Sequence, residues 1–131
     1  MSPTQRTLAL LRSQGFKPWV VERFLGYAGK FGKRQDMYGI IDVIAILPDE
    51  TLGVQCCSGT GSEHWNKLTD EKNQECRDWI ANPDRKLQIW GWRQLRKKGL
   101  TKAGKKKKGK IWVPKILNIT LEDLEDGNKN I

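Results

Sequence analysis

The sequence predicts an α/β fold, a mixed central sheet flanked by helices, on three observations. Its regular segments follow the order helix, strand, strand, strand, helix, strand, strand, which one layered domain accommodates. Two strand runs are joined by the short link Leu47-Pro48-Asp49-Glu50, so they pair as a hairpin. Length and composition agree, since 131 residues suit a single domain over 1–131 and 37% hydrophobic residues with six Trp supply a core.

Each element has a local reason. Ser2 or Thr4 caps a helix that runs to about Ser13, with Leu8, Leu10 and Leu11 on its apolar side and Gly15 ending it. Trp19 to Phe24 reads as a short strand from its aromatic and β-branched content, and the three glycines of Gly26 to Lys33 make a loop. Ile40 to Leu47 is apolar on both faces and is expected to be a central strand covered on both sides. Leu52 to Cys57 returns beside it, and Ser58 to Gly61 is a loop. One helix is expected from Ser62, its N-cap, to Ile80, with Trp65, Leu68, Cys76, Trp79 and Ile80 as apolar positions. Asn82-Pro83-Asp84 stops it. Leu87 to Trp92 and Ile111 to Ile119 are the last two strands, joined by a lysine-rich loop at about 96–110. An acidic tail at about 121–131 carries Glu122, Asp123, Glu125 and Asp126.

Composition excludes several classes of function. No apolar run approaches the ~20 residues of a membrane span, so no membrane partner is expected. The first residues lack the apolar stretch of a secretory signal, and three cysteines without a disulfide rhythm suit a reducing cytoplasm. One histidine and no CxxC pair argue against a zinc site. Charge points to a polyanion. The chain carries 24 Lys and Arg against 15 Asp and Glu, a formal net charge of +9. Arg93, Arg96, Lys97, Lys98, Lys102, Lys105, Lys106, Lys107, Lys108, Lys110 and Lys115 form a segment without a single acid, the footprint expected for nucleic acid. Trp90 and Trp92 lead into it on one face by alternation, placed either to stack unpaired bases or to pack in the core.

Asp42 is the residue out of place, a carboxylate inside the most apolar strand. Buried without partners it costs several kcal/mol, so it is paired, protonated or bound to a cation. The hairpin loop sets the register: Ile46 faces Thr51, Ile44 faces Gly53 and Asp42 faces Gln55, with Cys57 further along the same face. Directly opposed residues share a face, and Gly53 leaves room beside them. Asp42, Gln55 and the main-chain carbonyl of Cys56 then offer oxygens to a hard cation such as Mg²⁺. The alternative is that Asp42 simply hydrogen-bonds Gln55.

Gly39-Ile40-Ile41-Asp42, an apolar strand, a turn and Val54-Gln55-Cys56-Cys57 resemble the core of the PD-(D/E)XK nucleases, in which a strand Asp is followed by a (D/E)xK triplet on the paired strand. More narrowly, Arg34-Gln35-Asp36-Met37-Tyr38-Gly39-Ile40-Ile41-Asp42 with Val54-Gln55-Cys56-Cys57-Ser58-Gly59 is similar to archaeal Holliday-junction resolvases, VRR-NUC domains and small phage proteins. The likeness extends over most of the chain, to Gly91-Trp92-Arg93 and the acidic finish. It implies a restriction-endonuclease-like sheet and a Mg²⁺- or Mn²⁺-dependent endonuclease acting on DNA, structured or branched DNA included. It further implies a phage or bacterial origin and a possible homodimer.

Two motif letters differ. Gln55 stands in place of the acid, and Cys57 in place of the lysine that would face the scissile phosphate. The resemblance therefore implies a lysine supplied by another element, with Lys67 on the following helix as the candidate and His64 one turn before it. Glu22 and Asp36 are the acids available to replace the charge lost at Gln55. In the resulting expectation Asp42, Gln55, Lys67 and Glu22 are catalytic, Asp42, Gln55, Cys56 and Asp36 hold metal, and the basic segment with Trp92 grips DNA. Its rivals are a nuclease-like fold that binds nucleic acid without cutting it and a phage protein-interaction module.

Overall fold

The computed structural model describes residues 1–25 and 33–126. Its elements are α1 (Pro3–Ser13), β1 (Lys17–Val20), β2 (Arg23–Leu25), β3 (Lys33–Gln35), β4 (Val43–Leu47), β5 (Glu50–Ser58), α2 (Ser62–Thr69), α3 (Asn73–Ile80), β6 (Arg85–Arg96), β7 (Lys110–Asn118) and α4 (Leu121–Asp126). Five strands make one sheet in the order β1-β4-β5-β6-β7, while β2 and β3 pair separately. β5 and β6 run parallel and every other neighbouring pair is antiparallel, so the expected mixed α/β sheet is present. The helices α2 and α3 lie in the β5-to-β6 connection, which a parallel pair requires.

Three layers follow from where the apolar side chains point. On one face α1 packs Leu11 against Val43, Ala45, Leu52, Val54, Trp90 and Trp92. On the other, Leu68 of α2, Cys76 of α3 and Leu124 of α4 join Ile40, Ile41, Leu87 and Ile89. Ser2 caps α1 through a reciprocal box with Gln5, as its sequence anticipates. Among the described residues no helix is long and apolar enough to cross a membrane.

Several elements differ from expectation for identifiable reasons. The Trp19–Phe24 strand breaks at Val21-Glu22, just after the Val21 N–H makes one last bond in the β1–β4 register, to the Asp42 carbonyl at 2.9 Å. β5 is the middle strand of the five, and β4, paired on both edges with β1 and β5, begins only at Val43, with Ile40 and Ile41 in a turn before it. The single 62–80 helix is two: Asn73 bonds the Thr69 carbonyl at 2.6 Å and the Leu124 carbonyl at 2.8 Å, closing the end of α2 and tying α4 to it. Gly61, left-handed at φ 82°, stands at the N-cap in place of Ser62. The acidic tail begins as α4, whose Leu124 is buried. The expected loop at 26–32 and the tail beyond 126 lie outside the described residues.

Trp92 is core, with 5% of its surface exposed, and its indole N–H donates to Thr7 Oγ1 at 2.9 Å. Trp90 is 2% exposed. Neither is available to stack a base, and Trp92 drops out of the nucleic-acid surface. Thr7, itself fully buried, donates in turn to the Pro3 carbonyl at 2.8 Å. Thr7→Val keeps the shape and strands the indole N–H, so the expected cost is about 2 kcal/mol, read as a lower midpoint in urea unfolding with an unchanged slope.

Candidate metal centre

Two short-range devices bring acids together. Met37 and Ile41 bridge each other, with the Met37 N–H on the Ile41 carbonyl at 2.8 Å and the Ile41 N–H on the Met37 carbonyl at 3.2 Å. The tight loop between them needs two left-handed residues, Tyr38 at φ 56° and Gly39 at φ 74°. Asp36 and Asp42 flank this bridge, which puts them opposite each other. On the far side the hairpin register holds as expected, Ile46 with Thr51 and Ile44 with Gly53, as far as Val43 with Val54, and then slips by one residue, the Asp42 N–H bonding the Val54 carbonyl at 2.9 Å. Asp36, Asp42 and Gln55 thus stand in a row across three chain segments. Glu22 enters from the break after β1, carried by the Val21-to-Asp42 bond. Oxygens of Glu22, Asp36 and Asp42 all lie within 4.8 Å of one another.

Three carboxylates this close repel unless a proton or cation intervenes. Asp42, 3% exposed, carries the consequence. Burial, then the neighbouring Asp36 and Glu22, push its pKa up to about 9 against a partial counterweight from the Cys56 N–H. That N–H donates to Asp42 Oδ2 at 2.8 Å. In an extended strand the N–H and C=O of one residue leave on the same edge, so the Cys56 carbonyl leaves β5 on the edge toward β4.

Gln55 is equally buried and its side chain meets Asp42, but its amide is turned. Nε2 donates to Asp36 Oδ2 at 3.0 Å and to Asp42 Oδ2 at 3.0 Å. The NH₂ group bridges two acids much as a cation does. Asp42 Oδ1 and Gln55 Oε1 are both buried without a hydrogen-bond partner, a costly state for oxygens in a core. The donor set fits a hard cation, which takes carboxylate and amide oxygens. Glu22, Asp36 and Asp42 would hold such an ion through carboxylate oxygens that lie within 4.8 Å of one another.

Other expected features are absent or moved. The space beside Gly53 is filled: a Cβ there would lie 2.7 Å from Ile41 Cδ1 and 3.2 Å from Trp79 Cε2. Lys67 sits in the last turn of α2, and neither it nor Lys72 is among the groups that shift Asp42, which are Asp36, Cys56 and Glu22. Lys72, ahead of α3, lies against the Met37–Ile41 loop, with Cε 2.9 Å and Nζ 3.2 Å from where a Gly39 Cβ would sit. The signal for it in the sequence is Gly39, bare on the side Lys72 covers. His64 instead lines a cleft of about 300 Å³ with Cys57, Ser58 and Thr60. Burial pushes the thiols of Cys56 and Cys76 up to about 12 and raises that of Cys57, which removes them as nucleophiles near neutrality. The chain matches no protein-family model, no curated protein and no solved structure.

Proposed function

We propose that the protein is a divalent-cation-dependent phosphodiesterase acting on DNA, a restriction-endonuclease-like domain of the PD-(D/E)XK type. The observation that carries the proposal is the row Asp36–Asp42–Gln55 with Glu22 beside it, holding two buried, unpartnered oxygens and a carboxyl whose pKa is raised by burial and then by its neighbours. A bound Mg²⁺ or Mn²⁺ would neutralise phosphate charge and acidify a water for attack on phosphorus. Asp42 gives up its proton to become a ligand. Gln55 turns its amide over, which exchanges Nε2 for Oε1 at almost no change in shape. Asp36 and Glu22 restore the charge missing at Gln55. Lys72 supplies the fixed cation that Cys57 lacks, and the basic β6–β7 segment holds flanking phosphates.

A plasmid-nicking assay with Mn²⁺ tests this. Wild type is expected to nick, Asp42→Ala to lose at least ~10³-fold in rate, Lys72→Ala to be slowed, and Lys67→Ala to behave as wild type. Equal nicking by wild type and Asp42→Ala sinks the assignment. The second reading, a nuclease-like fold that binds DNA without cutting it, draws on the Gln55 amide already bridging Asp36 and Asp42. It is favoured if neither Mg²⁺ nor Mn²⁺ gives heat on titration into the protein while DNA still binds.

A further inference from the structure

We infer that the β6–β7 hairpin is a free-standing arm that grips duplex DNA by its phosphates, a role that rests on the DNA reading above but is separable from cutting. β5 accompanies β6 only as far as the Ser58–Trp92 pair. Beyond it the two strands continue alone through Arg93–Val113 to Arg96–Lys110. The segment expected to be a loop keeps the same register to the tip: Lys97 N–H to Gly109 carbonyl at 3.1 Å, Lys107 N–H to Gly99 carbonyl at 3.1 Å, Thr101 N–H to Lys105 carbonyl at 2.7 Å. Some ten residues per strand at ~3.3 Å each make an arm of roughly 30 Å. At its root Arg6 of α1 lies 3.9 Å over the Trp112 ring, holding the arm to the body.

The arm's charge is arranged against its own stability. Arg96 faces Lys110 directly, and the same register sets Lys98 opposite Lys108. Like charges in cross-strand pairs destabilise a ribbon, and among the ten basic residues from Arg93 to Lys110 there is no acid to relieve them. A trough of about 730 Å³ runs along the arm, lined by Arg96, Lys98, Lys106, Lys108 and Lys110 among others. An anionic strand laid in it removes the repulsion.

Duplex DNA fits better than single strands on two grounds. Beyond its root the arm has no aromatic residue, and the one ring at the root, Trp112, has Arg6 over its face, whereas proteins that hold unpaired bases stack them on aromatic rings. The duplex also presents phosphate charge more densely, about one per 1.7 Å of axis, which favours a purely cationic arm through counterion release.

The test is fluorescence anisotropy in EDTA, so that no cutting intervenes, with a 30-base-pair DNA duplex, the single strand of the same length and an RNA duplex. Wild type is expected to bind the DNA duplex most tightly. The triple variant Lys98→Gln, Lys106→Gln, Lys108→Gln should flatten the slope of log K against log salt by about 0.9 per lysine. Between 50 and 200 mM salt wild type then loses roughly 40-fold more affinity than the variant. All three lysines are exposed, so the fold should be unaffected, and Lys17→Gln with Lys86→Gln, also exposed, controls for net charge. An unchanged slope in the triple variant, an equal drop in the control, or tighter binding to the single strand or to RNA overturns the inference. Wild type that binds in this way yet never nicks plasmid with Mn²⁺ defeats the nuclease reading alone. Nicking with an unaltered slope defeats the arm alone.

Discussion

Asp42→Asn flattens the pH dependence of stability and abolishes the response to Mn²⁺. In the folded, metal-free protein Asp42 keeps its proton up to a pH of about 9, while its ordinary value is 3.8. Below that ordinary value folded and unfolded states both hold the proton, and Asp42 costs nothing through ionisation. Above it the unfolded chain releases a proton that the folded protein retains, so stability falls with every pH unit until about 9 and levels off beyond. The melting temperature of wild type in EDTA should therefore fall steadily between pH 5 and pH 9, and Asn, which cannot ionise, removes that slope. A divalent cation reverses the sign. It competes with the proton, so the stabilisation given by Mn²⁺ grows as pH rises, reaching about 2.7 kcal/mol at a hundredfold excess over its dissociation constant. Thermal scans of both proteins across this range, with and without Mn²⁺, separate the effects. Equal slopes in the two proteins would place the titration elsewhere than Asp42.

The core of this site was legible because β-hairpin geometry is local. A short loop between Leu47 and Glu50 fixes every pair behind it, and the pairing of Ile44 with Gly53 follows from counting alone. The same count carried two residues further sets Asp42 beside Gln55, and their side chains do meet, although the ladder itself ends at Val43 with Val54. The position of Asp36 opposite Asp42 was readable only in part: six residues with a glycine midway mark a tight loop, but not the left-handed Tyr38 that closes it. Glu22 owes its place to a strand break that no breaker residue announces, since Trp19-Val20-Val21 has every local preference for continuing. The same holds for Thr69-Asp70-Glu71-Lys72, helix-tolerant residues that the side chain of Asn73 interrupts by bonding across to α4. Alternation put Trp90 and Trp92 on one face but not on the face that α1 covers. The arm read as a loop because lysine and glycine carry no strand pattern, and its order comes from β-ladder bonds seeded in the sheet.

Gly91→Ala is expected to damage the whole fold, though it adds one carbon. The loop after β5 crosses the sheet directly over Gly91. A Cβ there would collide with the Gly59 carbonyl oxygen and lie 3.0 Å from the Thr60 carbonyl carbon and 3.1 Å from the Gly61 nitrogen. All three are backbone atoms, with no flexible side chain to swing aside. The loop is pinned from both ends: the Gly59 N–H bonds the Trp92 carbonyl at 2.9 Å, and Gly61, 3.0 Å from Ile89 Cγ2 at its own Cβ position, begins α2. Lifting the loop by the needed ångström breaks the first bond and carries α2 off the sheet, uncovering Leu68. The cost is of the order of 3 kcal/mol, the upper end for overpacking, or about 10 °C in melting temperature for a domain of this size. Gly104→Ala is the matched control. Unlike Gly91 it is left-handed, at φ 77°, but a Cβ there meets nothing within 4 Å. Its penalty is confined to the tip of the arm, at about 1 kcal/mol of local backbone strain, and thermal unfolding of the sheet should not register it. If the two variants melted alike, the close approach at Gly91 would not be what seats α2 on the sheet.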